Sequence, residues 1–264
     1  MAAKERRDWY ETPLYYDIIF DEDTSLEATF LETLHDRHGN GVAKNRSVLE
    51  LACGGGRLLA ELASRDWKVA GFDVSRPMLD FARDRLARRN LPALVWEDRM
   101  ETFSVPRQRR FDLVHCLVST FKYLLTEKDA LACLSRVSAV LKPGGLFVLG
   151  IHLTDYFREK PSHERWVVQR DGIKIICNTR TWPPVQRIEP MRTRLQITAG
   201  GGKTRLQETC WNVRSYSAPQ LRRLLRKVKE LTLVACHDFR HDAEEHRSFD
   251  DEYSDLVLVL KKES

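Results

Sequence analysis

The sequence predicts an α/β protein, a mostly parallel sheet covered by helices and interrupted by an antiparallel insertion. Three observations carry this expectation. From Arg46 to His152 short apolar runs alternate with stretches of helical periodicity, the pattern of parallel strands joined by helical crossovers. The first of these runs, Val48 to Ala52, passes directly into Cys53-Gly54-Gly55-Gly56 and then into a helix. From Arg165 to Tyr216 the period shortens to alternating runs separated by turn signals, and the earlier pattern returns after Ser217.

Taken in order, Asp8 to Phe20 is aromatic-rich, and Ser25 to His35 follows as a helix with Leu26, Phe30 and Leu34 on one face. Val48–Ala52 is the first strand and Gly56–Arg65 its helix. Lys68–Phe72 is the second strand, after which Ser75 caps a helix that tolerates Pro77 in its first turn. Leu94–Trp96 and Phe111–Cys116 are the third and fourth strands. Thr126 with Asp129 opens a helix striped by Leu131, Leu134, Val137 and Leu141, ended by Lys142-Pro-Gly-Gly. Leu146–Ile151 is the fifth strand. The runs RWVVQ, IKIICNTRT, MRTRLQIT and TRLQETCWNV, parted by Asp171-Gly172, Pro183-Pro184 and Ala199 to Gly202, form the inserted antiparallel sheet. Ser217–Lys229 is the last helix, with Leu221, Leu224, Leu225 and Val228 inward. Leu231–Cys236 and Asp255–Leu260 close the chain as an antiparallel pair, because their linker carries no helical stripe.

Composition narrows the function classes. At 264 residues, with 42% hydrophobic and 31% charged residues, the chain has the make-up of a globular domain. Its longest apolar runs are too short to span a bilayer, and MAAKERRDWYE has no apolar core of a signal peptide, so a cytoplasmic location is expected. The six cysteines (Cys53, Cys116, Cys133, Cys177, Cys210, Cys236) include no CxxC pair, which speaks against zinc and against a disulfide framework. A net charge of +5, with basic stretches at Arg83–Arg89, Arg107–Arg110 and Arg222–Lys229, reads as solvated helix and loop faces. A nucleic-acid partner would need those charges on one face.

The glycines carry the chemistry. In open α/β sheets ligands bind beyond the carboxyl ends of the strands. Glycine there lets a ligand lie against bare backbone, and the helix N-terminus that follows favours an anionic group. The second strand ends in Asp73, seventeen residues beyond Gly56. A carboxylate so placed can accept from both hydroxyls of a ribose. A nicotinamide dinucleotide or S-adenosyl-L-methionine would each satisfy this arrangement. The dinucleotide fingerprint G-x-G-x-x-G is incomplete, because Leu59 stands at the third glycine.

With these motifs in place, residues Val48 to Ile151 resemble the class I S-adenosylmethionine-dependent methyltransferases, with weaker agreement through the final strand pair. Glu50-Leu-Ala-Cys-Gly-Gly-Gly56 is similar to the family's first motif, an acid followed by x-G-x-G-x-G, with Ala52 in place of the first glycine. The resemblance implies a Rossmann-like seven-stranded sheet of order 3-2-1-4-5-7-6. It implies that Glu50, Ala52, Cys53, Gly54 and Gly56 surround the methionine moiety of the cofactor. It makes Asp73 the ribose acid, with Val74 and Met78 beside the adenine. In WEDRMETF it assigns Asp98 to the adenine amino group, with Arg99 and Met100 continuing that wall. FDLVHCLVSTFKYLL resembles the fourth-strand motif, whose Cys116 and Leu117 border the transferring methyl, and LKPGGLFVLGIH matches the turn and fifth strand.

The implied reaction is methyl transfer to a small molecule by in-line displacement, for which the protein aligns a nucleophile and excludes water. Where the acceptor carries a proton a base helps. His115, His152 and His237 lie near strand ends, and His152, at the end of the fifth strand, is the catalytic candidate. Tyr15 and Tyr16 would close over the cofactor, and Arg165, Trp166, Arg180 and Trp182 would line the acceptor site. The expected organisation is an N-terminal helical lid region (1–45), a cofactor-binding core (46–152), an antiparallel acceptor lid (153–216) and the last helix and strand pair (217–264). The expected partner is a small-molecule methyl acceptor, with no membrane and no nucleic acid, and a homodimer is compatible with the sequence. The alternatives are an RNA or protein methyltransferase and a catalytically silent cofactor-binding regulatory subunit.

Overall fold

The outermost strands of the chain belong to two separate sheets, seen in a computed structural model that describes residues 4–40, 45–200, 202 and 204–263. Residues 1–3, 41–44, 201, 203 and 264, which fall within the expected N-terminal region, insertion and C-terminal segment, lie outside the described residues. In chain order the elements are β1 (Lys4–Arg6), α1 (Pro13–Phe20), α2 (Thr24–His38), β2 (Ser47–Leu51), α3 (Arg57–Ala63), β3 (Lys68–Asp73), α4 (Arg76–Arg88), β4 (Ala93–Glu97), β5 (Phe111–Cys116), α5 (Glu127–Val140) and β6 (Leu141–His152). They continue as β7 (Ser162–Arg170), β8 (Ile173–Thr181), β9 (Ile188–Thr198), β10 (Thr204–Arg214), α6 (Ala218–Leu225), β11 (Leu231–Asp238) and β12 (Asp255–Lys262).

The larger sheet runs β11-β12-β6-β5-β2-β3-β4. Counting core strands alone, this is the predicted order 3-2-1-4-5-7-6. β2, β3, β4, β5 and β6 are parallel, and β12 is antiparallel to both β6 and β11. β2 is buried along its whole length, as a strand covered on both faces must be. On one face Leu49, Leu51 and Val114 pack with Leu134 and Val137 of α5 and Leu221 and Leu224 of α6. On the other, Val48, Leu113 and Val148 pack with Phe30 and Leu34 of α2 and Leu58 and Leu62 of α3.

The caps stand where the sequence places them. Ser75 accepts from Met78 N, Thr126 from Asp129 N, and Ser217 forms a full capping box with Gln220. Three details differ. Leu26 is exposed, and Glu27 takes its place on the inner face of α2, held by an ion pair to Arg57 Nη1 at 2.6 Å. Leu141 belongs to β6, opposite Phe111, rather than to the helical stripe, since Pro143 disfavours helical backbone at Lys142. α6 ends at Leu225, short of the expected Lys229.

The insertion forms the second sheet, β1-β10-β9-β8-β7. β1, which the sequence reading did not anticipate, joins it parallel to β10. Asp171 and Gly172, both at positive φ, close the β7–β8 hairpin. Its inner face of Ile175, Cys177, Leu195 and Ile197 packs on Trp9, Ile18 and Ile19. Trp9 also stacks on Trp211 with ring centroids 5.0 Å apart. The buried Asp17 carboxylate ties the layers together by pairing with Arg85 of α4 and with Arg170 Nη2 of β7 at 2.6 Å. The inserted sheet is therefore the platform on which the N-terminal aromatic segment rests.

Candidate active site

The turn after β2 is built for close approach. Ala52, Gly54 and Gly56 have φ of +51°, +51° and +68°, a region side chains adopt at a cost. A Cβ on Gly56 would lie 2.8 Å from the Ala82 Cβ, so this glycine is required by the packing of α4. A Cβ on Gly54 would meet Met78 Cε at 3.3 Å, and Gly54 lines the open cleft on its other side. The glycines thus divide between helix packing and the cleft, where the sequence reading assigned them all to a ligand.

Asp73, at the end of β3, locks this turn. Its Oδ2 accepts from Gly54 N at 2.9 Å and its Oδ1 from Ser75 N at 2.8 Å. A carboxylate offers about four lone-pair sites, so each oxygen keeps capacity for a further donor. Burial raises the Asp73 carboxyl pKa, and the backbone donors at Ser75 and Gly54 oppose that shift. The cleft above it encloses about 790 Å³ of empty space. Phe72, Val74, Met100 and Leu124 give it apolar walls, and Asp98 stands at the rim. Asp98 is itself held in place, accepting from Ser104 N at 3.0 Å and Arg99 N at 2.9 Å. Arg99 and Glu101 complete that edge.

A second lobe of about 550 Å³ continues from the first across Tyr16, Ala52, Gly54 and Thr120. Glu50, Cys53, Arg57, Asp17 and Leu117 line it. Glu50 Oε2 is buried and accepts no hydrogen bond. Burial pushes the Glu50 carboxyl up to about 8, against the opposing pull of the Arg57 guanidinium. Between about pH 4.5 and 8 the folded protein therefore keeps a proton that the unfolded chain has released, and stability falls as pH rises across that window. Glu50→Gln should have a higher Tm than the parent at pH 8 and an equal one at pH 5. Parallel pH–Tm curves for the two proteins would contradict this.

The N-terminal segment roofs the cleft. Tyr10 Oη and Tyr123 Oη share a hydrogen bond at 2.7 Å, and Ser75 Oγ donates to Tyr10 O at 3.3 Å. Tyr16 lines both lobes with its ring against Trp9 and Phe20, whereas Tyr15 packs in the apolar cluster beneath. The opposite wall is the 3₁₀ turn Thr120–Tyr123, reached through Val118 and Ser119, both at positive φ.

The structure gathers most of the residues singled out from sequence. Tyr16, Glu50, Ala52, Cys53, Gly54, Asp73, Val74, Asp98, Arg99, Met100 and Leu117 all line the two lobes. Gly56, Met78 and Cys116 stand behind the wall. Met78 and Cys116 are fully buried, and burial pushes the Cys116 thiol up to about 12. His152 does not line either lobe; its Nδ1 is paired with Asp255 Oδ1 at 2.6 Å, and both side chains are nearly half exposed. His115 is sealed in the core beside Glu50, its imidazole pushed down to about 3 by burial. His237 is buried with Nδ1 on Glu245 O at 2.8 Å. None of Arg165, Trp166, Arg180 and Trp182 lines the lobes. The sequence reading missed Tyr10, Asp17, Arg57 and Thr120 as lining residues. Arg57 was legible as the first helical residue after the glycine turn, but the others reach the cleft only through tertiary packing. Among the described residues there is no cluster that could hold a metal, and no helix is long and apolar enough to cross a membrane.

Residues 48–145, the glycine turn through the start of β6, match the model of a family described as a methyltransferase domain. That segment is similar to a methyltransferase domain. The chain is 34% identical over 137 residues to dTDP-3-amino-3,6-dideoxy-alpha-D-glucopyranose N,N-dimethyltransferase of Streptomyces fradiae, a match covering 51% of this chain and 50% of that protein. The chain spans about half the length, or somewhat less, of the curated relatives it matches first. Solved structures agree over the whole chain. An S-adenosylmethionine-dependent methyltransferase from Clostridium acetobutylicum superposes with a TM-score of 0.75 at 18% identity, covering 97% of this chain and 99% of that one. CalS10, an amino pentose methyltransferase from Micromonospora echinaspora, superposes at 0.72 and 18% identity, covering 99% of this chain and 100% of that one. The chain thus shares the fold of these solved methyltransferases, inserted sheet included.

Proposed function

We propose that this chain is an S-adenosylmethionine-dependent methyltransferase acting on a small molecule. The observation that carries the reading is Asp73, fixed by two backbone donors at the mouth of an apolar cleft, with lone pairs to spare for a ribose. Asp73 would hold the ribose hydroxyls, Val74 and Met100 the faces of the adenine, and Asp98 its amino group. Ala52, Cys53, Gly54 and Glu50, whose Oε2 accepts no hydrogen bond, would surround the methionine end, with Leu117 near the reacting centre and Tyr16 over it. Gly56, Met78 and Cys116 would act by shaping the wall, and Arg99 by closing its rim. Bound there, S-adenosylmethionine supplies a methyl group already activated as a sulfonium.

A small acceptor is supported by the relatives named for amino-sugar methylation. Within the basic segments, Arg83, Arg88 and Lys227 are engaged in local pairs with Asp80, Asp84 and Glu127. Residues 1–45 would serve as the lid, and 153–216 as its support rather than as the acceptor wall itself. A cytoplasmic location fits these features, and a homodimer is compatible with them.

Calorimetry is the direct test. S-adenosylhomocysteine should bind with a one-to-one stoichiometry and NAD should not. NAD binding without S-adenosylhomocysteine binding would reject the reading, and binding without turnover on any acceptor panel would favour a silent regulatory subunit.

A further inference from the structure

We propose that the cavity between α2 and the β11–β12 loop seats a positively charged amine acceptor, and that His241 takes its proton. The proposal rests on the reading of the cleft as an S-adenosylmethionine site and names the acceptor chemistry that goes with it. The cavity spans about 660 Å³, part of it open to solvent. It shares Leu117 and Val118 with the glycine-turn lobe, so the residues that follow β5 separate the two spaces. Val118 is a β-branched residue at φ +54°, a conformation that persists only where its surroundings hold it.

The lining is of two kinds. Ile19, Phe20, Leu117, Val118 and Phe239 form apolar walls, and Glu22, Asp23 and Glu27 add three carboxylates. No lysine or arginine joins them among the described lining residues. Glu27 is 5% exposed and its Oε2 is paired with Arg57 Nη1 at 2.6 Å, whereas Glu22 and Asp23 make no ion pair among the described residues. An apolar cavity lined by three carboxylates, with one guanidinium against only one of them, fits an ammonium group better than an alcohol or an acid.

An ammonium nitrogen has no lone pair and must lose a proton before it can act as a nucleophile. Carboxylates are poor bases for that step because their ordinary pKa lies far below an ammonium's. His241, the remaining member of the lining, is better matched. Its ring stands edge-on to Phe30 at 5.3 Å and stacks with Phe239, and it makes no side-chain hydrogen bond among the described residues. The charged groups around it are Glu27 of α2, Asp23 just before that helix, Arg57 of α3 and Asp238 at the end of β11. Burial holds its pKa below the ordinary value and outweighs the carboxylates. The imidazole is thus neutral near pH 7 and free to accept. The proton moves from the ammonium nitrogen to the imidazole, the freed pair stays on nitrogen, and Glu27 and Asp23 stabilise the imidazolium until it returns its proton to solvent.

The test uses three probes of one shape, benzylamine, benzyl alcohol and benzoate, titrated by NMR into protein saturated with S-adenosylhomocysteine. Benzylamine should bind at least tenfold more tightly than the alcohol, and benzoate should not bind. Glu22→Gln with Asp23→Asn should weaken benzylamine tenfold and leave S-adenosylhomocysteine affinity unchanged. Benzylamine affinity should drop as pH falls through the His241 titration, because two cations then share the cavity, and His241→Gln should abolish that drop. Binding of benzoate as tight as benzylamine, no benzylamine binding, or a pH response that survives His241→Gln would each overturn the proposal. Failure of S-adenosylhomocysteine to bind at the start would instead remove the underlying cofactor reading.

Discussion

Asp73→Asn will lower S-adenosylhomocysteine affinity about a hundredfold or more while the protein stays folded. Two hydrogen bonds from ribose hydroxyls to a carboxylate are each worth about 1.5–3 kcal/mol, and a decade of affinity corresponds to about 1.4 kcal/mol. The amide keeps one oxygen, which can still accept from Gly54 N or Ser75 N but not from both, and it turns a donor toward the other. The variant therefore loses charge toward the ribose and strains the turn that places Gly54. Asn is the informative substitution because Ala would strip both backbone donors of their partner and confound binding with folding. Calorimetry and a melting curve on the same preparation separate the two effects. An unchanged dissociation constant in a folded variant would mean the ribose is held elsewhere.

That Asp73 could be found without coordinates follows from its position. It ends a strand whose partner carries the glycine turn, and both features are local in sequence. The same holds for the parallel core, where Val48–Leu51 and Phe111–Cys116 announce buried strands by continuous apolar character and Ser75, Thr126 and Ser217 announce helix starts by their hydroxyls. Contacts between distant segments were not legible. Tyr10 reaches Tyr123 only because β1 and the Trp9–Trp211 stack anchor the N-terminus to the inserted sheet. His152 illustrates the limit of arguing from a strand end. The fifth strand does deliver it to the sheet's carboxyl edge, but the neighbouring β12 offers Asp255 as a partner, outside the cleft. His241 had no motif to mark it, since the loop between the last two strands carries no periodicity.

Lys122→Met will cost the protein about 3 kcal/mol or more and lower Tm by about 6–12 °C, at 2–4 °C per kcal/mol for a chain of this size class. Lys122 Nζ is 2.8 Å from Glu189 Oε2, and both side chains are almost wholly buried. Desolvation lowers the Lys122 pKa despite that partner, so the pair itself is held at a cost. Removing one member is worse, because Glu189 is left with Thr154 Oγ1 at 2.7 Å and the more distant Arg158 at 3.4 Å. The double variant Lys122→Met/Glu189→Gln, which keeps an acceptor for Thr154 and removes the buried carboxylate, leaving Arg158 with Trp182 O and the Gln oxygen, should recover part of the loss. The pair also has a place in the site. It fastens the turn Thr120–Tyr123 to β9 just after Val118 and Ser119, the two strained residues, with Ser119 held further by His152 N on its Oγ at 2.7 Å. Strain of that kind survives only while the surroundings over-determine it. Release of Lys122 should therefore let the turn relax, move Thr120 and Tyr123 from the cleft wall, and weaken S-adenosylhomocysteine binding at a temperature where the variant is still folded. A stability loss with unchanged cofactor affinity would show that the turn is held without the pair, and a Tm within 2 °C of the parent would show that the pair contributes little at all.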